Sequence, residues 1–254
     1  VHLKGKVAIV TGASKGIGKG IALRYAREGA DVVLASRSKD LLLAAADEIN
    51  TFGGRALALE LDVMDHGSIE SVVKQTVDHF GRLDIMVNNA GISMAHPSET
   101  IKPEDWERAL RTDLSGLFYG CQSAARQMIA QGGGGCILNI TSVYGVCAAP
   151  MRAAYCASKA GANMLTKVLA SEWASHKIRV NAIAPGYIRT ELVQGVIDNG
   201  MLPIGAIEKR TPQGRIGEVQ DVVGLAAFLA SDESRYMTGS VVLVDGGWAA
   251  YGYL

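Results

Sequence analysis

The sequence predicts an α/β fold: a doubly wound parallel sheet of about seven strands with helices on both faces. Short β-branched or apolar runs alternate with longer stretches of helical period along the whole chain. A glycine-rich turn joins the first strand to the first helix, and no linker or internal repeat breaks the alternation. Residues 1–254 therefore read as a single domain.

In order along the chain, strands are expected near 6–11, 31–36, 56–61, 83–88, 135–141, 178–183 and 240–244. Helices are expected near 16–29, 38–52, 66–80, 103–131, 153–176 and 218–231, with Ser38, Asp65 and Pro103 as starts. The run Gly132 to Gly135 ends the longest helix and turns the chain into a strand. Residues 187–217 hold five glycines and two prolines around short apolar pieces; a connection of this length points to a flap over a site.

Basic and acidic side chains number 25 each, so no surplus of charge points to nucleic acid or a membrane surface. Val1 to Thr11 lacks the pattern of a secretory signal, and no apolar run approaches the ~18 residues of a membrane span. Cys121, Cys136, Cys147 and Cys156 form no metal-ligand pattern and read as reduced thiols of a cytoplasmic protein; no metal is expected.

The first strand runs into Thr11-Gly12-Ala13-Ser14-Lys15-Gly16-Ile17-Gly18, with a helix opening behind it. Such a turn lets the backbone approach a pyrophosphate, whose charge is met by free N–H groups and the helix dipole. The architecture is accordingly Rossmann-type. At the end of the second strand NAD calls for a carboxylate; this chain instead has Ser36 and Arg37, with Lys15 in the turn below. Cations converging there suit the 2′-phosphate of NADP(H), with NAD(H) as the lesser cofactor. Asp62 and Val63 after the third strand are candidates for the adenine, and Asn89, Ala90 and Gly91 after the fourth for the ribose and diphosphate path; Asp62 also suits a turn cap.

Tyr155 and Lys159 stand four residues apart, on one face of an expected helix. A tyrosine has an unperturbed pKa of about 10, and a neighbouring ammonium favours its phenolate. Ser142 follows the fifth strand, where its hydroxyl suits a substrate oxygen. Phosphate turn, strand-end serine and Tyr-x-x-x-Lys occur in that order.

On these residues the sequence resembles the short-chain dehydrogenase/reductase family, in its single-domain branch. The matching pieces are TGASKGIG at 11–18, DV at 62–63, NNAG at 88–91, Ser142, YCASK at 155–159, Asn181, Pro185-Gly186 and Asp245-Gly246-Gly247. The resemblance implies that Tyr155 transfers the proton, Lys159 binds the nicotinamide ribose, and Ser142 orients the carbonyl. It also implies that Pro185, Gly186, Tyr187, Ile188 and Thr190 hold the nicotinamide and its phosphate. Where the family commonly carries an asparagine of the proton relay, this chain has Asp113, which is carried over as a relay position acting mainly through its backbone. An ionised carboxylate donates no hydrogen bond, so the amide's contacts are not reproduced.

Ser93, Met94, His96, Val143, Tyr144, Cys147, Tyr187 and the flap are candidates to line a small-molecule substrate pocket. No cluster of arginines or lysines awaits an anion, which favours neutral sugars, polyols or small ketones. The aromatics Trp248, Tyr251 and Tyr253 near the end call for burial, against the chain's own core or against a neighbour in the homotetramer usual for the family. Two other readings remain: a 3-oxoacyl-(acyl-carrier-protein) reductase, which needs a basic patch for which Arg126 and Arg152 are available, and a non-catalytic dinucleotide-binding sensor.

Overall fold

The computed structural model describes residues 2–200 and 202–252. Seven strands form one parallel sheet: β1 (Val7–Thr11), β2 (Asp31–Ser36), β3 (Arg55–Glu60), β4 (Ile85–Asn88), β5 (Gly135–Ile140), β6 (Ile178–Pro185) and an edge strand at Val241–Val244. A two-residue pair, β7 (Ile188–Arg189) with β8 (Gly217–Glu218), precedes that edge strand, which is β9. The sheet order is β3-β2-β1-β4-β5-β6-β9. The direction of winding reverses between β1 and β4, which opens a crevice at the carboxyl ends of the strands.

The strands are nearly continuous apolar runs because both faces are covered. Alternation at period two still sorts them. Ala8 and Val10 of β1 and Val32 and Leu34 of β2 join one core, while Ile9, Val33 and Ala35 join the other. Helices α1 (Gly16–Arg27), α2 (Lys39–Thr51) and a helix at Val219–Ala230 close the first face. The second is closed by α3 (His66–Phe80) and by two helices at Gly116–Gln131 and Ala153–Trp173.

Three stretches differ from the sequence expectation. The helix expected over 103–131 is α4 (Pro103–Leu110), one π-helical turn at Arg111–Ser115, and α5 (Gly116–Gln131). At its junction Gly116 lies so close to β3's exit that a Cβ would stand 2.8 Å from the Val63 carbonyl oxygen. The long helix α6 (Ala153–Trp173) ends in a single 3-10 turn rather than running on to 176. Within 187–217 lie two helices, α7 (Glu191–Asp198) and α8 (Ile204–Arg210), where punctuating glycines suggest irregular chain; the last main helix is α9 (Val219–Ala230). Asp65 caps α3 by accepting from the Gly67 N–H, Pro103 opens α4, and Gly132 ends α5 at φ 76°.

No helix among the described residues is long and apolar enough to cross a membrane.

Candidate active site

The carboxyl ends of β1, β4, β5 and β6 are neighbours, so Gly12, Asn89, Ser142 and Gly186 share one rim although they are far apart in sequence. Thr11 ties two of these ends together. Its hydroxyl oxygen accepts from the N–H groups of Asn89 (2.9 Å) and Ala90 (3.0 Å), and the Asn89 amide donates to the carbonyls of Thr11 (2.9 Å) and Gly12 (3.2 Å). The Asn89 N–H groups thus hold the turn. Gly12 at φ 65° is required by this closeness, since a Cβ there would meet the Asn89 amide nitrogen at 2.8 Å.

The start of α1 already faces an anion of the chain itself. The Gly16 N–H donates to Glu191 Oε2 at 3.0 Å, and the Thr190 methyl lies 3.3 Å from where a Gly16 Cβ would stand. Thr190 also caps α7 by accepting from the Val193 N–H. Glu191 escapes sequence reasoning, because an acidic first turn signals nothing where no helix is expected.

At the end of β2, Lys15 and Arg37 are both exposed, while the Ser36 hydroxyl accepts from the Ser38 N–H at 3.2 Å. Asp62 acts as the turn cap that was its alternative role: Oδ1 accepts from the Met64 N–H at 3.0 Å. Val63 packs its side chain and carbonyl beside Gly116. The Ile188 side chain is 5% exposed and belongs to the core, and its backbone pairs with Gly217. Pro185 ends β6, and Gly186 packs so tightly on Asp245 that a Cβ would stand 2.9 Å from the Asp245 Cα.

Tyr155 and Lys159 share one face of α6. The Lys159 ammonium lies 5.6 Å from the centroid of the half-buried Tyr155 ring and donates to the Ile140 carbonyl at 3.3 Å. Lys159 is only 4% exposed, which is unusual for an ammonium. Ser142 is buried, and its Oγ accepts from the Tyr144 N–H at 3.1 Å, which leaves the hydroxyl proton to donate. Asp113 is fully buried in the π turn. Its Oδ1 accepts from the Ile92 N–H at 2.8 Å, a bond that suits a carboxylate, and Oδ2 has no partner among the described residues. Burial, foremost, holds this carboxyl above the ordinary range, and Lys159 works against that shift.

Beside these residues, the Tyr144 and Tyr187 hydroxyls bond at 2.8 Å, the Tyr187 ring meets Trp248 edge-on at 5.3 Å, and Arg210 stacks on both Trp248 and Tyr251. The tail aromatics Trp248 and Tyr251 therefore pack on their own chain; Tyr253, and Met201 of the flap, lie outside the described residues. Arg210 carries no signal in the sequence beyond its charge. Burial and the bond to Tyr187 push the Tyr144 phenol up, so it stays a neutral donor. Val143 is buried beside it. Ser93 accepts from Arg152 at 2.7 Å and Met94 sulfur from Arg108 at 3.2 Å, while His96 is exposed. A cavity of about 390 Å³ between flap and tail is lined by Tyr187, Thr211, Arg215 and Asp245 and by none of Ser142, Tyr155 or Lys159.

Known proteins share this chain's sequence pattern and fold. A family model described as enoyl-(acyl carrier protein) reductase matches residues 12–249. A 3-oxoacyl-(acyl-carrier-protein) reductase of Thermotoga maritima is 40% identical, covering 97% of this chain and 99% of its own. A 2-dehydro-3-deoxy-D-gluconate 5-dehydrogenase of Escherichia coli is 37% identical over 98% of this chain and 97% of its own. The crystal structure of a gluconate 5-dehydrogenase from Burkholderia cenocepacia, in complex with NADP and tartrate, superimposes with a TM-score of 0.93 at 37% identity, covering 98% and 97% of the two chains. The chain belongs to the short-chain dehydrogenase/reductase family of NAD(P)-dependent oxidoreductases that act on alcohol and carbonyl groups.

Proposed function

We propose that this chain transfers a hydride between NADP(H) and a sugar, a polyol or a small ketone, with NAD(H) as the weaker cofactor. The observation that carries the chemistry is the buried Lys159 ammonium beside the half-buried Tyr155 ring. The phosphate turn fits a dinucleotide. Gly12 lets the turn close against Asn89 and Ala90, and the Gly16 N–H already donates to a negatively charged group. Ser14, Ile17 and Gly18 complete the turn, with Ala90, Gly91, Pro185, Gly186 and Thr190 on the opposite rim. Exposed Lys15 and Arg37, with no carboxylate at the end of β2, favour the 2′-phosphate.

When bound, the nicotinamide supplies or takes up the hydride. In the reducing direction Tyr155 gives its proton to the carbonyl oxygen, and Ser142 donates a hydrogen bond to the same oxygen as it gains charge. Lys159 steadies the phenolate left behind and orients the ribose.

The sugar or polyol assignment draws on the gluconate dehydrogenases among the relatives and on the Tyr144–Tyr187 hydroxyl pair, which offers donors and acceptors to a substrate bearing several hydroxyls. Reduction of a carrier-bound thioester is less well supported. Arg126 is paired with Glu70 and Arg152 is bonded to Ser93, so neither stands free for an acidic carrier. Exposed Met164 and Val168 on α6, and Leu243 and Phe228 on β9 and α9, supply two apolar faces for a homotetramer. The four free cysteines fit a reducing, cytoplasmic compartment.

The test follows nicotinamide absorbance with NADP or NAD across sugars, polyols, simple ketones and a short 3-oxoacyl thioester. Faster turnover of a polyol or sugar with NADP is expected; preference for the thioester would move the chain to fatty-acid synthesis. Tight cofactor binding with no turnover of any substrate would favour the sensor reading.

A further inference from the structure

A buried ammonium is costly unless another charge faces it. Lys159 is 4% exposed, and among the described residues its one side-chain hydrogen bond goes to a neutral carbonyl, Ile140 O, at 3.3 Å. Asp113 poses the opposite problem: a fully buried carboxylate with one oxygen bonded to the Ile92 N–H and the other without a partner among the described residues. The two flank Gly91. A Cβ there would stand 3.1 Å from Asp113 Oδ1 and 3.4 Å from Lys159 Nζ, so only a glycine leaves the space between them open.

The π turn gives Asp113 this position, since an extra residue in the helical ladder turns one side chain out of the regular face and is a frequent device at functional sites. Other charges near the turn are committed elsewhere. Arg108 pairs with Asp105 at 2.9 Å, Arg111 donates to the Met64 carbonyl at 3.5 Å, and Asp62 caps its own turn. Lys159 is the cation that acts on the Asp113 carboxyl.

We propose that Asp113 is the buried counter-ion of Lys159 and thereby sets the pH range over which Tyr155 exchanges its proton. The carboxylate keeps Lys159 charged, and its negative charge offsets part of the ammonium's field at the Tyr155 oxygen. Asp113 touches no reacting atom and is a positioning residue. The inference rests on Tyr155 and Lys159 having the roles proposed above.

Asp113→Asn keeps the shape and the acceptor for the Ile92 N–H while removing the charge. Both limbs of the pH profile of kcat for alcohol oxidation should move to lower pH by about one unit, tenfold in proton concentration. The acid limb moves because Tyr155 then feels the ammonium undiminished; the alkaline limb moves because Lys159 gives up its proton more readily. Asp113→Ser, smaller but equally uncharged, should move the profile the same way. A merely structural role would lower the rate without displacing either limb.

The second readout needs no turnover. In thermal unfolding without cofactor, Asp113→Asn and Lys159→Met should be strongly non-additive, because the second substitution removes a charge already stripped of its partner. An unmoved or alkaline-shifted profile, or additive unfolding effects, would overturn the proposal. If the enzyme turned over none of the substrates tried, the unfolding cycle would still decide whether the two charges are paired, so the ion pair and the catalytic reading fail separately.

Discussion

Two cationic places lie along the same crevice and differ in almost everything but charge. Lys159, beside Tyr155 on α6, is 4% exposed, with the buried Asp113 as its proposed counter-ion; Lys15 and Arg37, in the glycine-rich turn and after β2, are exposed. A buried charge must have its partner built into the fold, because leaving it alone costs several kcal/mol. An exposed one has water for company and takes its partner from the ligand. The inner cation is therefore governed by pH and by the groups packed around it, and the outer pair by ionic strength and by which cofactor arrives.

Perturbing the inner cation should have the largest effect. Lys159→Met should lower kcat by about 10²–10⁴-fold, the usual contribution of a positioned proton-transfer system, and added salt should restore none of it; steady-state kinetics at two ionic strengths would show this. A variant near wild-type rate would remove the contrast altogether.

At the outer end, Lys15→Ala with Arg37→Ala should weaken NADPH by about tenfold for each cation removed while leaving NADH little changed, as read by calorimetric titration. The wild-type preference should itself shrink at 1 M salt, where charges are screened beyond about 3 Å. Equal losses for both cofactors would mean that the two side chains are solvated bystanders. The smallest effect belongs to Glu191, whose carboxylate sits on the Gly16 N–H at 3.0 Å, the seat proposed for the diphosphate. Glu191→Gln removes a like charge from that seat and should tighten NADPH several-fold; weaker binding would show that the carboxylate assists closure rather than competing.

The same contrast explains what the sequence discloses. The strands were legible because a sheet covered on both faces demands unbroken apolar runs, as in Val7–Thr11 and Ile178–Pro185. The order of turn, Ser142, Tyr155 and Lys159 was legible because it is written in residue types at short spacing. The π turn was not, since Arg111–Ser115 keeps the helical period of its surroundings and only packing against Val63 and Gly91 reveals the extra residue. Helices α7 and α8 were hidden because Gly195, Gly200, Pro203 and Gly205 punctuate them in sequence, whereas in the fold Thr190 caps the first and Pro203 opens the second. Arg210 on Trp248, and Glu191 on Gly16, join residues 38 and 175 positions apart and depend on tertiary closure alone.

The central claim is that Tyr155 moves the proton while the rest of the crevice binds and orients. It is tested most directly by Tyr155→Phe, which removes one oxygen and leaves the ring over Lys159, with turnover and NADPH binding measured on the same preparation. Turnover should be abolished while NADPH still binds with nearly wild-type affinity. A Tyr155→Phe variant that turns over at the wild-type rate would contradict the claim.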